Sequence, residues 1–125
     1  MPGYGVSRDT PHRLYLRELN DSDDWVDIRA RRTLEQLGQI ELVTRNPQST
    51  NTDAAAVVFR LLIVAWSLKR GDDDPEPMPL TEAVFRAELD EATATWLTQQ
   101  MVAYYNQRML TPEASKNSSG HSLVP

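Results

Sequence analysis

The chain has two histidines, His12 and His121, and no cysteine. Histidine is the side chain whose ordinary pKa suits proton transfer near neutral pH. Both histidines fall in polar stretches near the ends, where nothing rigid would hold a base within hydrogen-bond reach of a nucleophile. The lack of cysteine removes thiol catalysis, disulfides and Cys-based zinc or iron–sulfur sites, and leaves the redox compartment open. The glycines, Gly3, Gly5, Gly38, Gly71 and Gly120, are too scattered to cradle a phosphate, and no nucleophile elbow or HExxH pair occurs.

Two acidic clusters have part of a calcium-loop spacing. In the first, Asp21 and Asp23 are followed by Trp25 at the third ligand position and Val26 where a sharp-turn glycine is needed. In the second, Asp72, Asp74 and Glu76 alternate correctly, yet Pro77 takes the glycine's place. Helix capping accounts for the first cluster and solubility for the second. Acid and base work by paired carboxylates needs two acids in an apolar cleft, whereas every acid here can be placed on a cap, a loop or an exposed face. The reading is of a protein that is not an enzyme, with no catalytic, cofactor-binding or metal-binding residues.

Stepping outward, the elements that would position any binding surface read mostly as helix. Residues 1–12 carry Pro2, Gly3, Gly5 and Pro11 among polar residues and read as a flexible arm. Leu14, Leu16 and Leu19 alternate with Arg13, Tyr15 and Arg17, which suits one short strand or hairpin. Asn20, Asp21 and Ser22 offer caps for a helix carrying Val26, Ala30, Leu34 and Leu37, with Gly38 as its stop. After the short apolar cluster Ile40, Leu42 and Val43 and a loop, Thr52 and Asp53 open a second helix, apolar from Ala54 to Trp66 except at Arg60 and closed at Gly71. That run is shorter than the roughly 20 residues of a bilayer span and reads as a central core helix.

Gly71 to Pro79 is an acidic, proline-rich loop. Thr81 caps a short helix to Leu89, and Asp90 caps a long one that runs to the break at Thr111 and Pro112. Residues 112–125 read as a flexible tail, leaving 13–111 as one helical domain. The fold class is therefore mainly α: a small single-domain bundle of about four helices, to which a short N-terminal strand or hairpin can be added.

Thirteen basic against eighteen acidic residues give a net charge of −5 over 125 residues. That balance opposes affinity for nucleic acid. No basic segment leads into an apolar run at the amino end, so a cytoplasmic protein without membrane attachment is expected. Trp96, Met101, Tyr104, Tyr105 and Met109 recur on neighbouring turns of the long helix. They are either core or a face for another protein's apolar helix, since Met, Tyr and Trp suit adaptable interfaces. The candidate partner-binding residues are Leu62, Trp96, Leu97, Met101, Tyr104 and Tyr105, and serine at Met101 and Tyr104 is expected to abolish binding while leaving helicity nearly intact.

The order of segments is distinctive: "RLYLREL" at Arg13 to Leu19, the acid-rich stretch Asp21 to Trp25, "AWSLKRG", the acidic loop leading into "PLTEAVFRAEL", and a long helix ending in "TPEASKN". It resembles the small tail assembly chaperones of long-tailed bacteriophages, the class typified by protein G of phage lambda. The resemblance implies a mainly helical, non-catalytic protein of the host cytoplasm that is absent from the mature virion. It implies the tape measure protein and the tail tube protein as partners, and leaves a homo-oligomer open. It further implies the short form of two, the longer arising in many members by a frameshift near the end of the gene; Ser115, Lys116 and Asn117 can be encoded by a slippery heptamer. A head-to-tail joining or tail-completion subunit, and a small acidic regulatory binding protein, are the alternatives.

Overall fold

A computed structural model describes residues 10–71 and 73–109. The alternation after Pro11 gives strand β1 (His12–Tyr15), with Leu14 buried and Arg13 and Tyr15 outside. A single helical turn, α1 (Arg17–Asn20), reverses the chain and ends at Asp21 in the left-handed region, φ 63°. Strand β2 (Trp25–Ile28) then pairs antiparallel with β1, Leu14 facing Val26. The N-terminal element is thus a hairpin with a helical turn at its tip.

The helix expected from Asn20 to Gly38 does not form. Val26, Ile28 and Ala30 are 0, 0 and 6% exposed, a period of two that happens to share the spacing of Val26 and Ala30 with a helix. The expected caps close turns instead: Asn20 Oδ1 accepts from the Ser22 amide at 3.1 Å, and Ser22 Oγ from that of Asp24 at 3.4 Å. The helix proper is α2 (Leu34–Arg45), opened by a capping box between Thr33 and Gln36. It runs through Gly38 and takes in Ile40, Leu42 and Val43, because Gly38 is not left-handed and nothing stops the chain before Asn46 and Pro47.

A second capping box, Thr50 with Asp53, opens α3 (Asn51–Leu62). The apolar run expected as one helix to Trp66 divides at Leu62, and Ile63–Trp66 forms β3, antiparallel to β2 in the order β1-β2-β3. Continuous apolar sequence carries no period to separate helix from buried strand, so pairing with β2 decides. Ser67 secures the junction: its Oγ accepts from the Trp25 amide at 2.9 Å and donates to Asp24 Oδ1 at 3.0 Å. The chain returns past Met78, whose carbonyl accepts from Trp66 Nε1 at 2.8 Å.

Thr81 caps α4 (Glu82–Ala87), its side chain accepting from the Val84 amide. Asp90 opens α5 (Glu91–Met109), accepting from the Thr93 amide at 3.3 Å and from Thr93 Oγ1 at 2.6 Å. The sheet's inner residues Leu14, Val26 and Ile28 share one buried cluster with Phe59 and Leu62 of α3, Phe85 of α4, and Leu97 and Met101 of α5. The domain is mainly helical with a small antiparallel sheet, rather than a bundle of helices alone. Residues 1–9 of the expected arm, and the expected tail with His121, lie outside the described residues. No helix among the described residues is long and apolar enough to cross a membrane.

Candidate interaction surface

Four of the six residues read as a binding face lie inside the domain. Leu62, Leu97, Met101 and Tyr105 are 1, 0, 2 and 3% exposed. Tyr105 donates its hydroxyl to the Arg29 carbonyl at 2.7 Å, and the Arg32 guanidinium lies 4.6 Å from its ring centroid. Burial pushes the Tyr105 phenol well above its usual range, with a smaller push from Tyr104. Trp96 and Tyr104 are half-buried and packed against the core. Tyr104 donates to the Ala30 carbonyl at 3.3 Å and stacks on His12, ring centroids 4.2 Å apart. His12, expected in a flexible arm, is thereby the first residue of β1. Met101 and Tyr104 hold α5 against the hairpin, so serine at both sites would open the core rather than only strip a face.

What α5 leaves outside is a different set of residues. Ala92, Thr95, Thr98, Gln99, Val102, Ala103 and Asn106 are exposed. The chain is 25% charged, yet carries no Asp, Glu, Lys or Arg from Ala92 to Gln107. Depletion of charge is the compositional mark of an interface core. The amino-terminal half of this face borders a groove of about 750 Å³ between α3 and α5, with Phe85 and Arg86 of α4 and Leu89 also lining it.

Sequence spacing makes the groove. Ala54, Ala55 and Val58 of α3 face Ala94, Thr95 and Thr98 of α5, and these small side chains leave open the space between the two helices above Phe59 and Phe85. Arg86 fixes one rim, reaching Asp53 at 2.9 Å and Glu82 at 3.9 Å, while Arg60 meets Glu82 at 2.7 Å. The Thr50 amide and then Arg86 hold the Asp53 carboxyl below its usual range. These exposed pairs orient the rim and contribute little stability. The groove can hold apolar side chains, and Arg86 and Glu91 are the charged residues among its lining. Among the described residues no group of three or more His, Asp or Glu could hold a metal ion.

Trp, Tyr and Met are interface types by composition, but the feature that marks this surface is the absence of charge along sixteen positions of α5, together with small residues that line one groove with those of α3. A second exposed feature lies on α2, which buries no residue and leaves Leu34 and Leu42 at 87 and 75% exposure. No protein-family model, curated protein or solved structure matches the chain.

Proposed function

We propose that this chain is a non-catalytic phage tail assembly chaperone that binds and solubilises the helical tape measure protein and helps recruit tail tube subunits, acting in the host cytoplasm and absent from the mature virion. The family reading rests on the order and wording of the segments quoted above. The observation that supports a helix-masking role is the continuous surface formed by the α3–α5 groove and the uncharged face of α5. A long amphipathic helix buries its apolar stripe in such a surface, and the chain's net charge of −5 keeps the complex dispersed.

The test is co-expression with the tape measure protein of the same phage. Wild-type chain is expected to keep that protein in the soluble fraction and to co-purify with it. Thr98→Glu and Val102→Glu place charge on exposed positions, so each is expected to retain the wild-type melting curve and lose co-purification. Binding unchanged in both variants removes this face from the mechanism. Finding the chain in purified virions by mass spectrometry turns the reading to a joining or completion subunit.

A further inference from the structure

Three arginines, Arg29, Arg31 and Arg32, stand within four residues between β2 and α2, in a chain of net charge −5. Like charges this close repel one another, and a slack linker would let them part. Here the backbone that carries them is clamped. The Arg29 amide donates to the Leu62 carbonyl at 2.9 Å, Tyr105 donates its hydroxyl to the Arg29 carbonyl at 2.7 Å, and Tyr104 donates to the Ala30 carbonyl at 3.3 Å. The Arg32 guanidinium lies over the Tyr105 ring, and Arg29 Nε donates to the Leu61 carbonyl at 2.8 Å. Two tyrosines of α5 thus hold a loop of arginines in one shape, the kind of preorganisation that lowers the cost of binding.

Beside the loop lies a cavity of about 270 Å³, whose polar lining is Arg29, Arg31, Thr33 and Gln36. Among the described residues no carboxylate lines it. Asp27, two residues before Arg29, is held by Arg13 through bonds of 2.7 and 3.0 Å. The Arg31 side chain is exposed and engages no hydrogen bond or ion pair among the described residues. The side-chain acceptors on the wall are engaged: Thr33 Oγ1 accepts from the Gln36 amide at 3.1 Å, and Gln36 Oε1 from the Thr33 amide at 2.9 Å. That leaves the Thr33 hydroxyl proton, the Gln36 Nε2 hydrogens and the Nη hydrogens of Arg29 to donate, and a guanidinium accepts nothing.

A cavity that offers donors and two positive charges suits an anion rich in acceptors. A phosphate monoester carries about −1.5 to −2 charge and three acceptor oxygens, which matches both counts. A carboxylate carries a single charge and leaves one guanidinium unmatched. A nucleic acid suits the site less, since the chain's overall negative charge opposes a polyanion. We propose that the cavity binds one terminal phosphate, inorganic or on a small soluble ester, with Arg29 and Arg31 taking its oxygens and Thr33 and Gln36 donating to it. The site lies apart from the α3–α5 groove and does not depend on the chaperone reading.

The experiment is a titration of the full chain with inorganic phosphate at constant ionic strength, followed by heteronuclear NMR of the arginine Nε–H and glutamine side-chain signals. Arg29, Arg31 and Gln36 are expected to shift saturably, while Arg45, at the far end of α2, stays in place. Glycerol phosphate is expected to act as phosphate does, and acetate at least about tenfold more weakly. Arg31→Gln changes an exposed side chain, so it is expected to melt as wild type does and to bind phosphate at least about tenfold more weakly. Arg45→Gln removes the same charge elsewhere and is expected to bind as wild type. Shifts that rise without saturating and touch Arg45 equally would reduce the effect to screening and overturn the proposal. So would an Arg31→Gln protein that binds like wild type. Duplex DNA that shifts these signals where phosphate does not would also overturn it, and assign the arginines to a polyanion.

Discussion

Replacing Gly38 with alanine tests what α2 needs as a helix of this domain. In the isolated domain the substitution removes the backbone entropy penalty of glycine in a helix interior, and the new methyl group enters open space. Host–guest scales put that gain at about 0.8 to 1.0 kcal/mol. For a domain of this size, 1 kcal/mol corresponds to roughly 4 to 8 °C in Tm. Thermal melting followed by far-ultraviolet circular dichroism, on protein dilute enough to be monomeric, is expected to show Gly38→Ala melting a few degrees above wild type. A dilute Gly38→Ala protein that melts at or below wild type would refute the reasoning, because residue 38 would then lie outside an α-helix or its Cβ would meet something.

Tyr105→Phe removes the donor to the Arg29 carbonyl and is expected to lower stability by about 1 kcal/mol in urea denaturation at neutral pH. The folded phenol titrates above its ordinary value of 10.0 because it is buried. Its contribution is therefore fully present below about pH 10 and lost as pH rises beyond, so wild type should lose stability in alkali more steeply than Tyr105→Phe. Asp90→Ala strips α5 of its acceptor for the Thr93 amide and hydroxyl and is expected to cost about 1 kcal/mol in the same assay. The Thr93 hydroxyl and amide hold the Asp90 carboxyl below its ordinary value, so that contribution should persist above pH 4 and fade as pH drops through the folded value.

The elements with one dominant cue were legible in the sequence. Thr81 caps α4, Asp90 caps α5, and the acidic stretch after Gly71 is exposed at Asp73, Glu76 and Pro77. Helix and strand were confused where two periods coincide. Val26 and Ala30 are four apart and satisfy a helix, while Ile28 between them satisfies a strand, and only the pairing of Val26 and Ile28 with β1 and β3 separates the cases. Ile63 and Val64 are β-branched and continue the apolar run of α3, so the division at Leu62 depends on β2 lying alongside, a partner thirty-odd residues away. For the candidate surface the difficulty was of another kind. Side chains such as Met101 and Tyr105 are interface types by composition but core by position, and the groove is defined by residues too small to attract notice.

The chaperone reading proposed above asks for surface along the length of a client helix. α5, at 19 residues, spans about 28 Å, and its uncharged face continues past the groove to Asn106. On that reading a peptide matching a client helix is expected to bind the wild-type chain and to lose affinity for Val102→Glu, altered beyond the groove, while the melting curve stays unchanged. Equal affinity for both proteins in a titration would confine the contact to the groove and refute the longer surface.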